Sequence, residues 1–302
     1  MKTLLFTFIL FTMGISAQGT EKRIITSDGV DLYVKVKGEG IPVLYLHGGP
    51  GSGSYWFEKF FGEFMEQNFT VIYLDQRGVG RSTGDKDDDY SMERMVLDFE
   101  EVRISLGYDS WLTIGHSFGG LLQTAYASHY PQSQKGMIII NGTLSLEDSF
   151  CNSWGPKAAE FTGKNGPFPC DTPQNIKANL GAHINNLREK DLFWKMAFSE
   201  ASNEKIVDVT INEVPGWNWN FGRVALDHDS YWRDYRSFTP AIEVPVLFFY
   251  GDKDWMVGPE HYKGINFPNI ILWASPGGHF PFIEDKVELE SSILTYKLKN
   301  KF

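Results

Sequence analysis

Six short, almost continuously apolar runs set most of what this chain can become: Pro42–Leu46, Val71–Leu74, Trp111–Ile114, Met137–Ile140, Val244–Tyr250 and Ile270–Trp273. A half-exposed strand alternates apolar with polar residues. A run that is apolar throughout suits a strand buried on both faces, as in parallel sheets covered by helices above and below. Helical patterns lie between the runs. One begins at Ser91, a good N-cap, and places Met95, Phe99, Val102 and Leu106 on one face; another carries Leu121, Leu122 and Ala125 before Pro131 stops it. A last amphipathic stretch covers Glu284–Lys299, with acids early and lysines late, as the helix dipole favours. Near the start, Arg23–Thr26 and Val30–Val36 flank Asp28-Gly29, a hairpin signal. This alternation predicts an α/β fold, a mostly parallel sheet flanked by helices.

The rhythm breaks after Asn141-Gly142 and resumes only at Val244. The interval holds five of the nine tryptophans, and its helical patterns are short and interrupted by Gly and Pro. It reads as a helical cap over 142–238, inserted into a core built from 18–141 and 239–302. Ligands on such sheets bind at the carboxyl ends of the strands, so the chemistry is sought there.

The first residues, Met1-Lys2 and an apolar run from Leu4 to Gly14 before Ser16-Ala17, match a secretory signal peptide over 1–17. The run is too short to span a bilayer, so the expectation is a secreted or periplasmic protein without stable membrane insertion. Export would allow Cys151 and Cys170 to join; two separate thiols are the alternative. With 28 Lys plus Arg against 38 Asp plus Glu, the chain lacks the basic excess that nucleic-acid binding requires. No cluster of side chains calls for a metal or a cofactor. Oligomeric state is left open.

Gly115-His116-Ser117-Phe118-Gly119 sits between an apolar run and a helical pattern. A sharp strand-to-helix turn there would raise the Ser117 hydroxyl above the sheet, with glycines letting strand and helix pass closely. A serine hydroxyl needs a base. Of seven histidines, His279 in Gly277-Gly278-His279 follows the last apolar run and precedes the last helix, at the sheet's carboxyl edge. His116 adjoins the serine and should point away from the turn. The orienting acid should follow the preceding run, where Gly251-Asp252-Lys253-Asp254 stands; Asp254, deeper in the loop, is favoured over Asp252. An oxyanion hole needs two preorganised N–H donors. Phe118 supplies one. The glycine loop His47-Gly48-Gly49-Pro50-Gly51 supplies the other, at Gly49 or, second, Gly48.

That loop, the turn Asp75-Gln76-Arg77-Gly78-Val79-Gly80-Arg81-Ser82, the serine turn, Gly251-x-x-Asp254 and Gly277-Gly278-His279 together resemble the proline iminopeptidase family of α/β-hydrolases. The resemblance covers about 23–140 and 240–298. It implies an α/β-hydrolase fold, a Ser117–His279–Asp254 triad, and a structural role for Asp75–Ser82 with Arg77 in a hydrogen-bonded network. It further implies a small-molecule or short-peptide substrate, foremost a peptide losing an N-terminal residue such as proline. The His-Ser-Phe turn departs from the family habit and is shared with esterases, lactonases and carbon–carbon hydrolases of this fold. Hydrolysis of a small ester or lactone is therefore the second reading, and a non-catalytic binding protein the third. An aminopeptidase needs a cap carboxylate for the substrate's ammonium group. Glu213, beside Trp217 and Trp219, is the first candidate for this substrate-binding role, ahead of Glu204, Asp227 and Asp229, with the cap tryptophans lining an apolar subsite.

Overall fold

The computed structural model describes residues 19–302 apart from 85, 86, 88, 165, 166 and 211; the expected signal segment lies outside the described residues. Eight strands form one sheet: β1 (Thr20–Ile25), β2 (Asp31–Lys37), β3 (Pro42–Leu46), β4 (Thr70–Leu74), β5 (Trp111–His116), β6 (Gln134–Ile140), β7 (Val246–Gly251) and β8 (Ile270–Ser275). Their spatial order is β1-β2-β4-β3-β5-β6-β7-β8. The β1–β2 hairpin and the β2–β4 pair are antiparallel, and every other pairing is parallel.

Side-chain alternation explains why the apolar runs are continuous. Leu44, Leu46, Ile72, Leu74, Met137 and Ile139 enter the core on one face of the sheet; Val43, Tyr45, Val71, Tyr73, Ile138 and Ile140 enter the core on the other. The covering helices are α1 (Tyr55–Asn68), α2 (Met92–Ser105) and α3 (Gly119–His129). Ser91 caps α2, its hydroxyl accepting the Arg94 N–H at 3.3 Å.

Between β6 and β7 the chain makes helices of 4 to 17 residues, α6 being longer than the short patterns expected: α4 (Leu146–Ser149), α5 (Gly155–Thr162), α6 (Pro173–Glu189), α7 (Ala201–Thr210) and α8 (Asn220–Val224), joined by tighter turns. Trp154, Ala158, Phe168, Ile176, Leu180, Leu187 and Met196 give this region its own small core. Cys151 and Cys170 are joined beside it in a disulfide. A bond 19 residues apart in sequence restricts the unfolded chain, so reduction is expected to lower the unfolding free energy by about 3 kcal/mol. Denaturant titration with and without reductant checks this, and coincident curves would contradict it.

The C-terminal stretch is broken at Asp285 into α9 (Pro281–Glu284) and α10 (Lys286–Asn300). The second helix buries Leu289, Ile293 and Tyr296 on one stripe. Glu284, expected to open a single long helix, precedes the break and is engaged elsewhere, as described below.

Candidate active site

Parallel pairing brings the carboxyl ends of β3, β5, β7 and β8 to one edge of the sheet, and the loops that follow them meet there. At the end of β5 the backbone of Ser117 is left-handed, φ 55°, a conformation that costs a non-glycine residue about 1–3 kcal/mol. Surrounding bonds enforce it: Ser117 N–H donates to Ile140 O at 3.2 Å, and its carbonyl accepts from Gly120 N–H (2.9 Å) and Thr143 N–H (3.0 Å). A Cβ on Gly115 would come within 2.7 Å of Gly119 O, and one on Gly119 would strike Leu46 O. Only glycines admit this crossing of strand and helix.

His279 and Asp254 are both buried, and His279 Nδ1 lies 3.0 Å from Asp254 Oδ2. The other carboxylate oxygen accepts the N–H groups of Met256 (3.0 Å) and Val257 (3.1 Å). A carboxylate held by two amides can only accept at His279, so the imidazole carries its proton on Nδ1 and leaves Nε2 basic. The structure thus brings Asp254 to the histidine and leaves Asp252 exposed. Ser117 Oγ forms no direct hydrogen bond with His279 among the described residues, a contact that commonly tightens only with substrate present.

Gly48 and Gly49 lie against the serine: a Cβ on Gly48 would sit 2.6 Å from Ser117 Cβ. Gly49 has φ 112°, which only glycine tolerates. The N–H groups of Gly49 and Phe118 donate to no other described residue, and both residues line the cavity over Ser117. His47 supports the loop from below. It is fully buried, accepts the Gln76 N–H on Nε2 at 3.2 Å and donates from Nδ1 to Gly48 O at 3.1 Å.

The roles of two further residues went unrecognised in the sequence. Asn141, also left-handed at φ 44°, spans the acid and base loops: its Nδ2 donates to Gly278 O (2.7 Å) and its Oδ1 accepts Gly251 N–H (2.9 Å). In the sequence it marked only the end of the β-α rhythm. His116 turns beneath the base loop, Nε2 2.9 Å from His279 O, with the two imidazole rings 4.8 Å apart.

Burial draws the His47 imidazole down to about 4 and, with the neighbouring His279, holds His116 well below its usual range. Both are neutral in the fold at neutral pH but take up protons near pH 6.5 when unfolded. Between about pH 6.5 and 4 the unfolded chain therefore binds more protons, so stability falls as pH falls. His47 alone accounts for a loss of about 3 kcal/mol across that window. Urea unfolding of wild type and His47→Asn at pH 7 and 4.5 checks this; the variant should lose less on acidification, and equal losses would contradict it.

The Asp75–Ser82 turn is braced by ion pairs. Asp75 is fully buried and accepts from Ser54 and Arg81; Arg77 holds Asp98 through two nitrogens at 2.6 and 2.7 Å. Burial alone would raise the Asp75 carboxyl, but Arg81 brings it below its ordinary range.

Over Ser117 lies a cavity of about 180 Å³. Leu146, Phe150, Trp154, Leu180, Phe193 and Leu226 give it apolar walls, Met256 and Val257 of the loop after β7 close one side, and Thr143 and Ser149, whose hydroxyls bond each other, are its polar residues besides Ser117. Among the described residues, no carboxylate lines it. Glu213 is instead exposed and engaged by Lys59 and Tyr55 of α1. Trp217 and Trp219 pack against Gly53 and Gly51 of the glycine loop, and Trp217 Nε1 donates to Gly51 O. Of the cap tryptophans, Trp154 alone is on the cavity wall. Asp227 pairs with Lys177. No group of three or more potential metal ligands occurs among the described residues, and none of their helices is long and apolar enough to cross a membrane.

Residues 41–286 match the family model described as the alpha/beta hydrolase fold, and the chain belongs to that family. Within it, the chain is similar to the proline iminopeptidase of Neisseria meningitidis, 39% identical over 102 residues that cover 33% of this chain and 32% of that protein. It is also similar to the proline iminopeptidase of Saccharolobus solfataricus, 36% identical over 137 residues, 44% of this chain and 43% of that one. The matched segments thus span about a third to two fifths of those relatives' length. Among solved structures, the proline iminopeptidase-related protein from Thermus thermophilus superposes with a TM-score of 0.77 at 21% identity, covering 93% of this chain and 98% of that one, and shares the fold.

Proposed function

We propose that this hydrolase works through an acyl-enzyme on Ser117 and acts on small, uncharged esters or lactones of apolar acids. The observation that carries the substrate class is the cavity over Ser117, apolar and with no carboxylate among the described residues that line it. Its volume is close to that of an engineered apolar cavity of about 150 Å³ that holds benzene, so the acyl group is ring-sized or a short branched chain.

Ser117 Oγ attacks the carbonyl carbon while its proton passes to His279 Nε2. The carbonyl oxygen becomes an oxyanion between the N–H groups of Gly49 and Phe118. Asp254 stays ionised, fixing the tautomer and stabilising the imidazolium. Collapse breaks the bond to the leaving oxygen, which takes the proton from His279. Water then attacks the acyl-serine with His279 again as base, releasing the acid and restoring the hydroxyl.

Release of an N-terminal residue is the second reading, supported by the partial identity to proline iminopeptidases. It requires an ammonium group in a cavity whose described lining offers no carboxylate, and an unpaired buried cation costs several kcal/mol. Parallel assays on p-nitrophenyl butyrate, p-nitrophenyl benzoate and proline arylamide separate the two. Ester kcat/KM is expected to exceed arylamide kcat/KM by about 100-fold or more. Faster arylamide cleavage would replace the ester reading with the peptidase one.

Export to an oxidising compartment is part of the same proposal, supported by the Cys151–Cys170 pair. N-terminal mass spectrometry of the protein recovered from its natural compartment tests it; an uncleaved Met1 in a cytosolic fraction would overturn it.

A further inference from the structure

The histidine loop is held to the cap at several points. His279 N–H donates to Ala197 O at 2.6 Å, and Phe198 stacks on Phe280 with ring centroids 4.8 Å apart. The acid loop meets the same segment, Trp255 N–H donating to Met196 O at 3.0 Å. One side chain closes the arrangement. Glu284 Oε1 accepts Gly278 N–H at 2.8 Å, while Oε2 accepts Ser199 N–H (2.9 Å), Ser199 Oγ–H (2.8 Å) and Asn203 Nδ2–H (3.2 Å).

The segment that Glu284 grips begins at the cavity. The short turn Phe193–Met196 presents Phe193 to the wall over Ser117, and three residues past its end Ser199 reaches Glu284. A short backbone path therefore runs from the acyl-binding wall to the loop carrying the base. Met256 and Val257 form a parallel link, since their side chains line the cavity and their N–H groups hold Asp254.

We infer that Glu284 is a positioning residue that clamps the histidine loop to the cap, so that the alignment of His279 depends on how the cavity wall is packed. The inference rests on the acyl-enzyme reading above. In Glu284→Gln one oxygen becomes an NH₂ group, which must face either the Gly278 or the Ser199 N–H. One side of the clamp is then lost while side-chain size is kept.

A kinetic double-mutant cycle tests it, using Phe193→Ala, Glu284→Gln and the double variant with a p-nitrophenyl ester. Active sites are counted by fluorophosphonate titration and folding is followed by thermal melts. Glu284→Gln is expected to lower kcat per active site about tenfold with KM changed less than about twofold, as a displaced base would. Phe193→Ala is expected to change kcat by at least about threefold less in the Glu284→Gln background than in wild type. A lower melting temperature with unchanged kcat per site would make Glu284 merely structural, and additive effects would remove the coupling; either result overturns the inference. Should Glu284→Gln not fold, Ser199→Ala/Asn203→Ala, which strips the side-chain donors from Oε2, takes its place in the cycle with the same criteria. Wild type that neither reacts with fluorophosphonate nor turns over any ester would defeat the hydrolase reading itself. Wild type that does both, with an additive cycle, defeats the clamp alone.

Discussion

Ser117→Ala is expected to lower ester turnover by about 10⁴-fold or more while leaving the fold intact. On the proposed acyl-enzyme route the loss is this large because alanine removes the atom that would accept the acyl group, and no neighbouring hydroxyl is held by the same turn. Residual rate should come from the Gly49 and Phe118 amides acting on a direct water attack. Ser117→Ala/His279→Ala should therefore be little worse than Ser117→Ala alone, because serine and base act as a unit. Steady-state kinetics on the purified variants checks both statements. A Ser117→Ala enzyme retaining a tenth of wild-type turnover would exclude the serine as nucleophile.

Asp254→Asn is expected to cost about 10⁴-fold, and the reason lies in the two backbone amides at Asp254 Oδ1. In the variant the remaining carbonyl oxygen stays with Met256 and Val257 N–H, so the new NH₂ group faces His279 Nδ1. The imidazole must then protonate Nε2 and can no longer take the serine's proton. Asp252→Asn changes an exposed side chain and should leave turnover essentially unchanged. Comparing the two variants with one ester gives the answer. Equal losses, or a larger loss at Asp252, would overturn the assignment of the acid.

The parts of this molecule legible in its sequence are those that local physics dictates. Strands buried on both faces have to be apolar throughout, so β3 to β7 stood out; β8 carries the same apolar signal although it is the edge strand and leaves Leu272 exposed. Ser91 announced α2 because a capping hydroxyl acts within its own turn. Ser117, Asp254 and His279 could be placed at one edge of the sheet because a parallel sheet fixes where each loop must emerge. What stayed hidden depends on contacts far apart in the chain. The cavity over Ser117 draws on Thr143, Trp154, Leu180, Phe193, Leu226 and Met256, which share no periodicity. Glu213, Trp217 and Trp219 looked like a binding group because they are close in sequence, yet Lys59, Tyr55 and the glycine loop take them up. Glu284 looked like an acid placed for a helix dipole; its partners Ser199 and Asn203 lie 85 and 81 residues away. Asn141 was likewise a chain-break signal whose amide serves two loops brought together only by the sheet.

The most direct measurement is covalent labelling of the intact protein with a fluorophosphonate, followed by mass spectrometry of its peptides. A single adduct on the peptide carrying Ser117, absent from Ser117→Ala and greatly slowed in Asp254→Asn, is the expected result. No adduct on folded protein, or an adduct on another residue that survives Ser117→Ala, would contradict the assignment of Ser117 as the nucleophile.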